Sequence, residues 1–158
     1  NISKSFELKN NKIDGLSVTY ARCCMPIEGD SIVAHSDTER GIVIHHSRCQ
    51  EVAPFKQDKD RDIPSFWSKS TRKQVRPCHI KVLSDNGPGV LADIASTFTK
   101  SDINIISVLS KSVGSKLTEF SFDIEIYDLD ELKKIMRKVR SMKIVSSCVR
   151  EINEAKKK

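Results

Sequence analysis

The chain has 158 residues, with 27 Lys and Arg against 21 Asp and Glu, and a formal net charge of +6. That length suits one ordinary domain or two small ones, and regular apolar runs exclude a disordered chain despite its high charge. No apolar run nears the roughly 18 residues of a membrane span, and the polar start NISKSFELKNNK has no secretory core. A cytoplasmic setting with no membrane partner is therefore expected.

Divided after residue 76, the charge is +3 in each half, thirteen basic against ten acidic residues and then fourteen against eleven. Only Lys156, Lys157 and Lys158 form a basic block. Such even basicity points weakly to RNA, and an ordinary solvated surface accounts for it as well. The cysteines Cys23, Cys24, Cys49, Cys78 and Cys148 are an odd set, which in a cytosolic chain favours free thiols or a metal over a disulfide framework.

In chain order, GLSVTYA alternates as a strand, IEGD turns, and SIVAH and IVIHH are short strands around an ERG turn. Ser47 caps a brief helix over SRCQEVA. In the charged stretch Pro54 to Arg76, Ile63, Phe66 and Trp67 of DIPSFW mark a closing strand before a joint near residues 69–76.

From Cys78 the pattern sharpens. HIKVL is a strand that stops at SDNGPG, Pro88 suits a first helical position, and Val90, Leu91, Ile94, Ala95 and Phe98 recur at helical spacing. INIISVLSK is a strand, VGSK a hairpin turn, and LTEFSFDIEIY alternates strictly with Phe120, Phe122, Ile124 and Ile126 on one face. DLDELKKIMRKVRSM opens with the capping pair Asp128 and Glu131 and carries a stripe of Leu129, Leu132, Ile135, Met136, Val139 and Met142. IVSSCVREI closes a β-α-β-β-α-β order, the ferredoxin-like plan with both helices on one face of the sheet. The other face and the edges then call for cover, by edge pairing or by a second copy.

For chemistry, Cys23, Cys24 and Cys49 with His45 or His46 are donors of the types that structural zinc takes. There is no C-x-x-C, and neighbours along a strand point oppositely, so both Cys23 and Cys24 can ligate only if the chain turns between them. Buried or partly exposed free thiols are the competing reading. A Cys-His nucleophile would need an oxyanion donor and an orienting carboxylate, and none is identifiable. His35 and His79 read as strand-end boundary residues. The NGPGVL loop can present backbone N–H groups to a small anionic or zwitterionic ligand, although Gly-Pro-Gly between strand and helix is often only geometry. Without a Walker loop, H-E-x-x-H or G-x-S-x-G motif, no catalysis is expected of this chain.

ARCCMPIEGDSIVAH followed by RGIVIHHSRC resembles the C-terminal region of the RelA/SpoT stringent-response enzymes. The family pattern is a Cys-Cys-x-Pro-x-x-Gly-Asp stretch and then Gly-x-x-x-His-x-x-x-Cys, matched by Cys23, Cys24, Pro26, Gly29, Asp30, Gly41, His45 and Cys49. The doubled histidine and IMRKVRSM lean to the SpoT branch, and the resemblance covers about residues 15–152.

The resemblance implies an α+β chain: an extension over 1–14, a small mixed α/β finger-like module (the zinc-finger or ribosome-intersubunit domain) over 15–70, a linker over 71–76, a ferredoxin-like ACT domain over 77–152, and a basic tail over 153–158. It implies zinc on Cys23, Cys24, His45 and Cys49, and RNA contacts by Arg40, His46 and Arg48 if the first module meets the ribosome. In the ACT domain it implies an amino-acid site over Asn86, Gly87, Pro88, Gly89, Val90 and Leu91. Asn86 departs from the Asp that many amino-acid-binding ACT domains carry there. Manganese and magnesium belong, on this resemblance, to N-terminal catalytic domains whose motifs are not in these residues. The chain then resembles a regulatory fragment of a bifunctional (p)ppGpp synthetase/hydrolase, not itself an enzyme. Its partners would be its own catalytic domains, the ribosome or rRNA, or a second copy through the ACT domain.

Overall fold

A computed structural model describes residues 6–9, 12–13, 16–37, 39–52, 62–67 and 74–153. The chain divides into two units, one formed by Asn1–Gln74 with Ile152–Lys158 and the other by Val75–Glu151.

Six strands close the first unit into a barrel: β1 (Phe6–Lys9), β2 (Lys12–Ile13), β3 (Leu16–Tyr20), β4 (Ile32–Asp37), β5 (Gly41–His46) and β6 (Asp62–Trp67). Their spatial order is β1-β2-β3-β5-β4-β6, and β1 runs parallel to β6 to close the ring. Two features differ from the sequence reading. The stretch read as an extension over residues 1–14 supplies β1 and β2, too short for their alternation to stand out but paired through β6 and β3. The brief helix after Ser47 is one 3-10 turn at Gln50–Val52, so the described part of this unit is built from strands.

The β4–β5 hairpin turns on Asp37, whose Oδ1 accepts the Glu39 and Arg40 N–H groups at 2.8 and 3.0 Å. Those two N–H groups, Arg40 first, hold the Asp37 carboxyl below the usual carboxylate range. Both faces of the hairpin are covered. Ile32, Ala34 and Ile44 pack with Val18, Tyr20, Ile42 and Trp67 on one side, while Val33 and Val43 pack with Ala21, Cys24, Cys49, Val52 and Ile152 on the other.

The second unit runs β7 (Arg76–Asp85), α1 (Val90–Lys100), β8 (Ile105–Val113), β9 (Leu117–Ile126), α2 (Leu129–Arg140) and β10 (Val145–Arg150). Its antiparallel sheet has the order β10-β7-β9-β8, the ferredoxin-like arrangement. The alternation of β9 is reproduced, with Phe120, Phe122, Ile124 and Ile126 buried against the helices and their neighbours half-exposed. In α2, Leu132, Ile135, Met136 and Val139 are buried, and Met142 lies beyond the helix end. Asp128 accepts the Glu131 N–H at 2.8 Å, while the Glu131 carboxylate accepts the Tyr127 N–H at 3.1 Å.

Pro88 is not the first helical residue. A turn over Gly87–Val90 places Gly89 at φ 80°, outside helical space, so α1 begins at Val90, two residues after Pro88. No heavy atom lies within 4 Å of the Cβ position at Gly89, so the backbone angle alone is what calls for glycine. The sheet face away from the helices is charged at one end. His79 lies between Asp123 at 2.6 Å and Glu151 at 3.3 Å, and Lys81 pairs with Glu151 at 2.7 Å. Ile106 and Leu109 of the edge strand β8 are exposed, Leu109 by 74%.

Candidate metal centre

The two cysteines of ARCCMPIEGD sit in a turn, not in a strand. Ala21 C=O accepts the Met25 N–H at 3.1 Å, and Met25 takes the left-handed φ of 46° that ends the turn. That reversal brings Cys23 and Cys24 round to one point, which an extended chain would not. Downstream, the Ile27 N–H donates to Asp30 Oδ2 at 2.7 Å and the Asp30 N–H to Ile27 C=O at 3.0 Å, with Gly29 at φ 98° between them. Trp67 Nε1 donates to the Asp30 carbonyl at 3.1 Å. The Pro-x-x-Gly-Asp part of the stretch therefore anchors the cysteine turn to the barrel.

The doubled histidine is divided by the period of the strand. Consecutive residues of β5 face opposite ways, so His45 meets the thiols while His46 turns to Asp30, its Nε2 3.7 Å from Asp30 Oδ1. Cys49 comes from the turn after β5, its N–H bonded to His46 C=O at 3.0 Å.

Four donor atoms converge, all within 4.8 Å of one another: the sulfurs of Cys23, Cys24 and Cys49 and a ring nitrogen of His45. Cys23 Sγ is 3.7 Å from Cys49 Sγ and 4.0 Å from Cys24 Sγ. His45 Nδ1 is 3.4 Å from Cys23 Sγ and 3.6 Å from Cys24 Sγ. A tetrahedral ion with metal–sulfur bonds of about 2.3 Å and metal–nitrogen bonds of about 2.0 Å has sulfur–sulfur edges of about 3.8 Å and sulfur–nitrogen edges of about 3.5 Å. These four edges fit that figure to within a few tenths of an ångström, and this set could hold a metal ion.

The electrostatics agree with the geometry. Burial, the stacked His35 ring and Arg40 push His45 down to about 4, so its imidazole is neutral and its lone pair available. Burial, above all, and then Cys49 push the Cys23 thiol up; burial likewise pushes up Cys24, against the His46 N–H that donates to its sulfur at 3.3 Å. Without a cation the Cys23 and Cys24 sulfurs keep their protons; a divalent ion reverses that preference.

His35 is buried, stacked on His45 with ring centroids 4.8 Å apart, and not among the four converging donors. Of the three residues expected to meet RNA, Arg40 and Arg48 are exposed. His46 requires correction: it is 5% exposed and committed to Asp30 and to the Arg48 N–H at 3.1 Å, so its ring is not on the surface. Arg40 instead lines, with Arg22, His35 and Glu51, a cleft of about 620 Å³ over Cys23. Arg22 and Asp30 were legible only as parts of the motif. Asn86, Gly87, Pro88 and Gly89 form an exposed loop, and in the first turn of α1 Val90 is buried and Leu91 exposed. The buried Cys78 and Cys148 are sheet-core residues of the second unit, and burial pushes the Cys148 thiol up to about 11. No helix among the described residues is long and apolar enough to cross a membrane.

Comparison with known proteins gives two domain matches, the RelA/SpoT RIS domain over residues 8–68 and the ACT domain over residues 72–150. The chain is 31% identical to the bifunctional (p)ppGpp synthase/hydrolase SpoT of Escherichia coli (strain K12), over 89% of its own length and 20% of that protein. It is 30% identical to a GTP pyrophosphokinase of Myxococcus xanthus, over 87% of its own length and 18% of that protein. The chain thus spans about a fifth of the length of these relatives. Among solved structures, the ACT domain from the GTP pyrophosphokinase of Chlorobium tepidum covers 49% of this chain and 100% of that one, at 19% identity and a TM-score of 0.44.

Proposed function

Since the chain belongs to the RelA/SpoT family, carrying its RIS and ACT domains in tandem, we propose that it serves a SpoT-type enzyme as a regulatory region that biases synthesis against hydrolysis of (p)ppGpp. The observation that carries this reading is the closed donor set of Cys23, Cys24, His45 and Cys49. Zinc is the ion that suits three sulfurs and one imidazole, and it supplies a tetrahedral crosslink. Four protein donors complete its usual coordination and leave no position for a substrate, which makes the site structural.

The residues around the donor set do the remaining work. The Met25 turn aims both cysteines, the neutral His45 offers its Nδ1, and Asp30 holds His46 away from the thiols. What the crosslink fixes is the surface over Cys23, where Arg22, Arg40, Asp37 and Glu51 surround a cleft. A regulatory partner acts by binding one arrangement of the parent enzyme more tightly than another. The parent's own catalytic domains are the first candidate for that partner.

Two measurements test the reading together. Metal analysis of the purified chain is expected to give one zinc, lost in Cys23→Ser and in Cys49→Ser. In the parent enzyme the same substitutions are expected to change the ratio of synthesis to hydrolysis. An unchanged ratio in the zinc-free variants under every starvation condition would sink the regulatory proposal.

A second reading, binding to ribosomal RNA, is favoured by the exposed Arg40 and Arg48. Such contacts to phosphate weaken steeply with salt. Co-sedimentation with ribosomes should then appear at low salt and decline in Arg40→Ala with Arg48→Ala; its absence at low salt would exclude this role.

A further inference from the structure

Ile152 and Asn153 lie more than a hundred positions beyond the cysteines, yet they belong to the first unit. Ile152 is 4% exposed and packs in the cluster that contains Cys24, Cys49, Val33, Val43 and Val52. Asn153 is bonded to the 3-10 turn on both its backbone and its side chain. Its carbonyl accepts the Gln50 N–H at 3.0 Å, and its Oδ1 accepts Gln50 Nε2 at 2.8 Å. Its remaining amide, Nδ2, points to Cys49 Sγ at 4.0 Å. The backbone there is left-handed, φ 56°, a conformation that asparagine tolerates better than most residues.

Taken together, these contacts form a strap across the Cys49 side of the donor set. From them we infer that Ile152 and Asn153 complete the metal centre from outside the coordination sphere: Ile152 shields Cys24 and Cys49, and Asn153 fixes the Gln50 turn and turns an N–H toward the Cys49 sulfur. Sulfur ligands gain from such donors because an N–H beside a thiolate offsets its charge, and outer partners of this kind commonly change metal affinity by about 10- to 100-fold. Cys24 already has its donor in the His46 N–H. Asn153 is the corresponding donor for Cys49. The inference rests on the zinc reading for its affinity arm but not for its accessibility arm.

The test uses the whole 158-residue chain. Asn153→Gly keeps the left-handed backbone and removes the side chain; Ile152→Ala removes the shield. Zinc affinity, measured by competition with a chromogenic chelator, should weaken roughly tenfold in Asn153→Gly. Cobalt loaded in place of zinc should show a shifted sulfur-to-metal charge-transfer band, which a general loss of stability would leave in place. In the reduced protein as purified, iodoacetamide should modify Cys49 and Cys24 several-fold faster in both variants, with Cys148 in the same molecule as the internal reference. Unchanged affinity, spectrum and alkylation would overturn the strap. If the wild-type chain binds no zinc, the zinc reading fails on its own; faster Cys49 alkylation then still supports the strap, and unchanged alkylation overturns it.

Discussion

The ACT sheet buries Cys78, Ile80 and Val82 of β7 against Phe120, Phe122 and Ile124 of β9, apolar at every second residue, whereas the RIS barrel buries Asp30, His35, His45 and His46 beside its aliphatic residues. The first arrangement needs only to exclude water to be stable. The second has to satisfy each polar group with a hydrogen bond, an ion pair or a metal, because an unsatisfied buried group costs about 1–3 kcal/mol. One module is held by an apolar core, and the other includes a donor set that could hold a metal ion.

The largest expected effect sets the two apart directly. Structural zinc contributes on the order of 10 kcal/mol to small domains. Chelation, or Cys49→Ser, should therefore remove the thermal transition of the RIS domain and leave that of the ACT domain in place by scanning calorimetry. A single transition that moves as a whole would break the comparison. The converse experiment is Phe122→Ala, at a site with no solvent exposure. It should cost about 3–5 kcal/mol of ACT stability, while bound zinc per chain stays constant.

Acidity should act on the donor set of the first unit. The Cys23 and Cys24 thiols lie above their ordinary value of 9, so both are protonated at neutral pH and must release protons to bind an ion. His45, depressed to about 4, has none to release in that range. Zinc affinity should thus rise with pH by at least about two decades per unit between roughly pH 6 and 8, with no step near 6.5 from an ordinary imidazole. Chelator competition across that range measures the slope, and a flat profile would contradict the donor assignment. The smallest effect belongs to Asp128→Ala, which deletes the cap on the Glu131 N–H. It should lower ACT stability by about 1 kcal/mol and leave the alkylation rates of Cys23, Cys24 and Cys49 untouched.

The same contrast explains what the sequence disclosed. Most ACT elements were legible because a half-buried strand or helix imposes a period on its residues, and β7, β9 and α2 keep theirs almost without exception. Pro88 was misplaced because the left-handed turn at Gly89 leaves no periodic trace. In the RIS domain, β4 and β5 are covered on both faces, so their alternation is blurred. The donors were legible only as a motif. Spacing did not reveal that Cys23 and Cys24 converge, since that depends on the turn closed by the Met25 N–H on the Ala21 carbonyl. Nor did it separate His45 from His46, which required the direction of each side chain. Ile152 read as the end of the last ACT strand, and no local pattern could show that it is buried with Cys49.

The doubled histidine also bears on how the barrel assembles. A β5 strand that slipped by one residue against its neighbours would bring His46 to the thiols and still offer them an imidazole, a decoy that a metal ion alone would not reject. The slipped chain would set Ser47 opposite Asp30 and give up the facing of Asp30 by His46, now 3.7 Å apart. The Asp30–His46 approach would therefore favour the one alignment in which both imidazoles are used.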